Sequence, residues 1–250
     1  MAKQKSLLKI EGTLDGMTFY RDSEGKYLVK KKSEISKSRI ENDPAFIRTR
    51  ENGQEFGHVA TSGKIFRRAI SGLTFDVRDK TMTYRLSQTL SQVKNKDATS
   101  VRGERKVAVG LATPEGKEEF KFFDFNQRAK LNSVLKTDYT LDPATAEINI
   151  QGLVPVQNLG IPQGATHVEI SAAHMMFDFE TEETQLEISN VETLPIDNTS
   201  TDVALTFAQT LSGTGNEYYF LKIAWHQMLN GETYPLNNGV FNALQLIEIL

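Results

Sequence analysis

Cysteine is absent from this 250-residue chain, which excludes disulfides, thiolate zinc sites, iron–sulfur clusters and thiol catalysis. Long apolar runs are absent as well. None approaches the roughly 20 residues of a membrane helix, so no membrane partner is expected. The start Met1-Ala2-Lys3-Gln4-Lys5-Ser6-Leu7-Leu8-Lys9-Ile10 is basic like a secretory leader but turns polar at Lys9 and Glu11, too early for an apolar stretch of about 7–15 residues. The expected location is the cytoplasm, with any release occurring as part of a particle or assembly. Histidine is scarce, with only His58, His167, His174 and His226. His167 and His174 are seven apart, a spacing that puts them on opposite faces of one strand and argues against a shared metal site. No nucleophile motif accompanies any of the four, so the expectation is no enzyme, no catalytic residues, no metal and no cofactor.

The remaining composition, 39% hydrophobic and 24% charged, is that of a globular chain long enough for one large domain or two small ones. Its net charge of −3 hides a division. Residues 1–110 hold 23 Lys and Arg against 13 Asp and Glu, a net +10, and residues 111–250 hold 6 against 19, a net −13. Such asymmetry speaks to partners rather than fold. The basic half either meets nucleic acid or meets the acidic half of another copy.

Hydrophobic patterning divides the chain into three. Residues 6–32 alternate like strands around Gly12-Thr13-Leu14-Asp15-Gly16 and Ser23-Glu24-Gly25, which predicts a small β-meander ending in Lys30-Lys31-Lys32. With its flanks, 1–35 forms a basic β-hairpin arm. Residues 36–137 are mainly helical. Asn42-Asp43-Pro44 starts one helix that runs to about Gly72, and Met82, Leu86, Leu90 and Val93 set the apolar period of a second over about 76–96, giving a helical hairpin. Residues 138–250 form an acidic domain of seven short strands: 146–150, 166–172, 175–179, 185–189, 203–207, 218–228 and 243–250. The expected class is α+β, with the hairpin arm and helical hairpin followed by an antiparallel β-sandwich.

Several motifs carry chemistry only superficially. Gly57-His58-Val59-Ala60-Thr61-Ser62-Gly63-Lys64 is one residue too long for a phosphate-binding loop, and Ile65 stands where Ser or Thr is needed. Phe120, Phe122, Phe123 and Phe125 lie beside Lys117, Lys121 and Arg128 and suit an apolar core better than a base-stacking platform. Asp178, Glu180 and Glu182 alternate as if on one strand face, with Glu183 beside them, and no glycine-centred calcium loop frames them. Gly53, Gly57, Ala60 and Gly63 place four small residues along one helical face. Glycine costs a helix interior about 1 kcal/mol, so the stripe points either to close approach of another backbone or to a broken helix.

The runs Gly12-Thr13-Leu14-Asp15-Gly16-Met17-Thr18-Phe19-Tyr20, Gly25-Lys26-Tyr27-Leu28-Val29-Lys30-Lys31-Lys32 and 42–57 (NDPAFIRTRENGQEFG) resemble an uncharacterised group of Bacteroidota proteins of similar size. The resemblance covers the first quarter of the chain. It implies a glycine-turn hairpin, a helix and a C-terminal β domain, and no activity or functional residues. The expected function is a non-enzymatic structural protein that self-assembles as the subunit of a filament, tube or phage-like particle. Its interface would join Lys30, Lys31, Lys32 and the stripe Gly53, Gly57, Ala60, Gly63 to a neighbour's Asp178, Glu180, Glu182 and Glu183. The alternative is a nucleic-acid-binding protein using the basic half.

Overall fold

A computed structural model describes residues 2–5, 7–32 and 35–250. The fold is α+β, and the chain forms two compact units, Met1–Asn52 and Gly53–Leu250.

In the first unit, strands β1 (Ala2–Lys3), β2 (Gly12–Leu14), β3 (Met17–Arg21) and β4 (Tyr27–Lys31) make an antiparallel sheet in the order β1-β4-β3-β2. The β2–β3 turn is Asp15-Gly16, both at positive φ (46° and 75°), the tight hairpin geometry that glycine admits without strain. Helix α1 (Lys37–Asn42) follows, capped by the Ser36 hydroxyl. The Asn42-Asp43-Pro44 signal opens a single 3-10 turn, Pro44–Phe46, with the Asp43 side chain accepting from the Ala45 amide. Helix α2 (Ile47–Ala69) continues from it, and the division between the units falls within this helix.

The second unit is built on a six-stranded antiparallel sheet. Its two long central strands are β7 (His167–Phe177) and β11 (Asn216–Leu229), paired in unbroken register from Asn216 opposite Phe177 to His226 opposite His167. Each is flanked by two shorter strands: β8 (Thr184–Ile188) and β9 (Glu192–Pro195) on β7, β12 (Glu232–Pro235) and β13 (Ala243–Ile249) on β11. The sequence reads β7 as two strands, 166–172 and 175–179. It is one, because Ala173 and His174 continue the ladder between them. A separate three-stranded sheet has the order β10-β6-β5, from β5 (Thr140–Leu141), β6 (Ile148–Leu153) and β10 (Thr201–Leu205).

Alternation gives the central sheet two apolar faces, each with its own core. One face presents Ala173, Met175, Phe177, Tyr218, Phe220, Leu244 and Leu246 to the helices. These are α2, α3 (Ser71–Thr74), α4 (Met82–Lys94), α5 (Val107–Leu111) and α6 (Pro114–Phe120). Phe66 is the hub of that core. It is fully buried, with Phe120, Phe177 and Tyr218 edge-on at 5.1, 5.5 and 5.5 Å between ring centroids. Phe120, Phe123 and Phe125 lie inside the core, whereas Phe122 is 53% exposed. The opposite face presents Val168, Ile170, Ala172, Tyr219, Leu221, Ile223 and Trp225 to Ile148, Ile150, Val203 and Leu205 of the three-stranded sheet. Leu131, within α7 (Leu131–Val134), and Leu159, which follows α8 (Pro155–Asn158), complete this second core. The change at 138 is thus a change of secondary structure, while helices and strands on either side of it share a core.

The expected helical hairpin is α2 and α4. Contacts between Glu55 and Lys94, Gly63 and both Ser87 and Leu90, and Arg67 and Thr83 run in opposite chain directions, as antiparallel packing requires. The C-terminal strand β13 is covered on both sides, by β11 and by 122–125, whose Phe122 and Phe125 amides donate to the Leu246 and Leu244 carbonyls at 2.8 Å. The apolar C-terminal segment is therefore paired within its own chain.

Candidate assembly surface

No described residue of 2–52 is buried, although this unit holds four strands, a helix and many apolar side chains. Register sorts those side chains by face. Leu14 opposite Met17, Phe19 opposite Val29, and Tyr27 opposite Arg21 share one face, on which Leu14 is 56% and Met17 49% exposed. The other face carries Thr13, Thr18, Tyr20, Leu28 and Lys30. The lysine run is divided by the same alternation. Lys30 lies over the Tyr20 ring at 5.2 Å, Lys31 is on the apolar face opposite Met17, and Lys32 follows the strand end with its amide donating to the Gly16 carbonyl at 2.6 Å. The three cations thus border two faces instead of forming one contact.

The small-residue stripe is divided too. A Cβ at Gly63 would meet Leu90 at 3.5 Å and Ser87 at 3.9 Å, so Gly63 serves the crossing of α2 and α4. At Gly53 and Gly57 a Cβ would meet nothing within 4 Å, and Ala60 is exposed. The helix is continuous through all four positions, so of the two explanations for the stripe, a broken helix is overturned.

The acidic group does not form a strand face. Strand β7 stops at Phe177, and Asp178, Glu180, Glu182 and Glu183 make the hairpin turn to β8. The Asp178 carboxylate accepts from the Glu180 amide at 2.7 Å, and this bond is the main reason that its acidity exceeds that of an ordinary carboxylate. Glu182 adopts the left-handed φ of 62° that closes the turn. Glu180 meets Lys106 of its own chain at 3.4 Å. The sequence alternates here because a tight turn needs polar residues, and not because a sheet face does.

A buried electrostatic cluster of the second unit ties 97–107 to α2. Glu55, 3% exposed, accepts from the Gly103 amide (2.8 Å), from Arg105 Nε and Nη2 (2.7 and 3.0 Å) and from Lys94. Burial pushes its carboxyl up, but these donors together outweigh burial and hold it at about 2, from an ordinary 4.5. One turn on, His58 Nε2 accepts from the Val107 amide at 3.0 Å, which fixes the neutral ring, and burial followed by Lys106 lowers its pKa. Asp97 accepts from the amides of Thr99, Ser100 and Lys106 and closes the same loop. These residues tie the segment 97–107 to α2. The sequence gives no sign of the cluster, since its members lie as far as 50 positions apart.

Among the described residues, no group of three His, Asp or Glu stands close enough to hold a metal ion, and no helix is long and apolar enough to cross a membrane. No family model, curated protein or solved structure matches this chain.

Proposed function

We propose that this chain is a non-enzymatic structural protein that self-assembles, with the unit 2–52 docking on a second copy. The supporting observation is a four-stranded sheet with an apolar face and no buried residue. Sheets of this size need a covered face for stability, and the area that Leu14 and Met17 expose, with the part that the half-buried Phe19 and Val29 leave uncovered, is stabilising only when a partner removes it from water. Charge favours another copy as that partner, because a basic N-terminal half complements the −13 of residues 111–250. A contact joining different surfaces on two copies propagates unless it closes, so the product is a filament, a tube or a particle. The antiparallel sandwich expected of 138–250 belongs to this proposal, supported by the core that the six- and three-stranded sheets share.

Light scattering and negative-stain imaging of the full chain at low and high salt test the proposal. Ordered multiples of the 28.0 kDa chain are expected, and Met17→Glu with Phe19→Glu should return them to monomer. A 28.0 kDa monomer at every salt concentration would overturn it.

A further inference from the structure

We infer that a cleft in the second unit binds phosphate groups. The cleft, of about 740 Å³, is lined by Arg78 and Lys80 on one segment and Arg128 on another, over a floor of Val77 and Val240. Its one lining carboxylate, Asp79, is fully engaged. It accepts from the Thr81 amide (2.6 Å) and hydroxyl (2.7 Å), from Arg85 (2.6 Å) and from the Gln127 amide (3.0 Å). Asp76, nearby in sequence, is held by Lys222 at 2.6 Å and by Asn242. Arg78, Lys80 and Arg128 are exposed and make no ion pair among the described residues.

Three unpaired cations on two segments lining one cavity, with the charge of the local carboxylate offset by Arg85, attract an anion and repel a cation. Two guanidinium groups match the bidentate geometry of phosphate oxygens, and the lysine adds a point charge. The apolar floor and the volume admit a group larger than inorganic phosphate alone. The sequence conceals the site because Arg128 joins Arg78 and Lys80 only through the fold, with Asp79 bonded to the Gln127 amide. Phosphate groups can come from a free phosphate compound or from a nucleic-acid backbone. The site stands independently of self-assembly.

The test is titration of the full chain with inorganic pyrophosphate and, separately, with a thymidine oligonucleotide, at low and raised salt. Binding should weaken as salt rises. Arg78→Ala, Lys80→Ala and Arg128→Ala should each weaken it about tenfold, while Lys64→Ala with Arg68→Ala, exposed cations outside the cleft, should leave it unchanged. Tighter binding of the oligonucleotide identifies a backbone as the source, and tighter binding of pyrophosphate identifies a free compound. Absence of binding by both probes at low salt, or equal losses in the cleft and control variants, overturns the inference.

Discussion

At Glu55, burial and charge oppose each other. The carboxylate is 3% exposed and Lys94, its nearest cation, is buried with it. Removing one member of such a set leaves the other charged and unpartnered, so Glu55→Ala should cost about 3–5 kcal/mol in urea unfolding. The same carboxylate sets a pH dependence. In the unfolded chain it takes up its proton near 4.5, and in the folded chain only near 2. Its contribution of about 3 kcal/mol is complete above the unfolded value and disappears as pH falls from 4.5 towards 2. Asp79 and Asp97 are lowered in the same direction, their amide and hydroxyl donors outweighing burial, so stability should fall steeply in this acid range. Glu55→Gln should flatten part of that slope. An unchanged slope in the variant would show that the Glu55 carboxylate does not stabilise the fold.

For the helices and strands, two glycines make opposite predictions. Gly110 lies where α5 meets the end of α4, and a Cβ there would stand 2.1 Å from the Val93 carbonyl oxygen. Backbone cannot yield to that contact cheaply, so Gly110→Ala should destabilise by about 3 kcal/mol. Gly57 lies in the middle of α2 facing open space, and Gly57→Ala should stabilise the helix by about 1 kcal/mol. Thermal melts of both variants check the pair. Gly57→Leu then asks whether the open face serves assembly: loss of particles with the monomer fold retained supports that role, and unchanged particles exclude it. Such distinctions were not legible in the sequence, which shows four small residues at helical spacing and cannot say that only Gly63 lies under a neighbouring helix. What was legible depended on period. Met82, Leu86, Leu90 and Val93 declare α4, and Asp15-Gly16 declares its hairpin. By contrast β9 is too short for a pattern to register, and β12 is absent from the expected strands although the Asn230-Gly231 turn before it is the same kind of signal as Asp15-Gly16. The acidic alternation at 178–182 reads equally as a strand face or a turn, because a polar turn and a polar strand face produce the same residues.

For the whole molecule, the division of charge and an N-terminal unit in which no described residue is buried bear on the proposed assembly in two ways. Apolar contact at Leu14, Met17, Phe19 and Val29 would supply most of the affinity between copies, and it persists in salt. Opposite charge would supply encounter rate and orientation, and it is screened beyond about 8 Å at physiological ionic strength. The lysines belong to the second term, because alternation places them at the borders of both sheet faces. Replacing Lys30, Lys31 and Lys32 with glutamate should therefore slow assembly strongly at low salt, by tenfold or more in the rate followed by light scattering, and the rates of wild type and variant should converge as salt rises. Met17→Glu with Phe19→Glu should instead abolish assembly at every salt concentration, because it removes the apolar term. If the lysine variant assembles at the wild-type rate in low salt, the basic unit is not guided by its neighbour's acidic half, and the charge division has to be explained by a different partner.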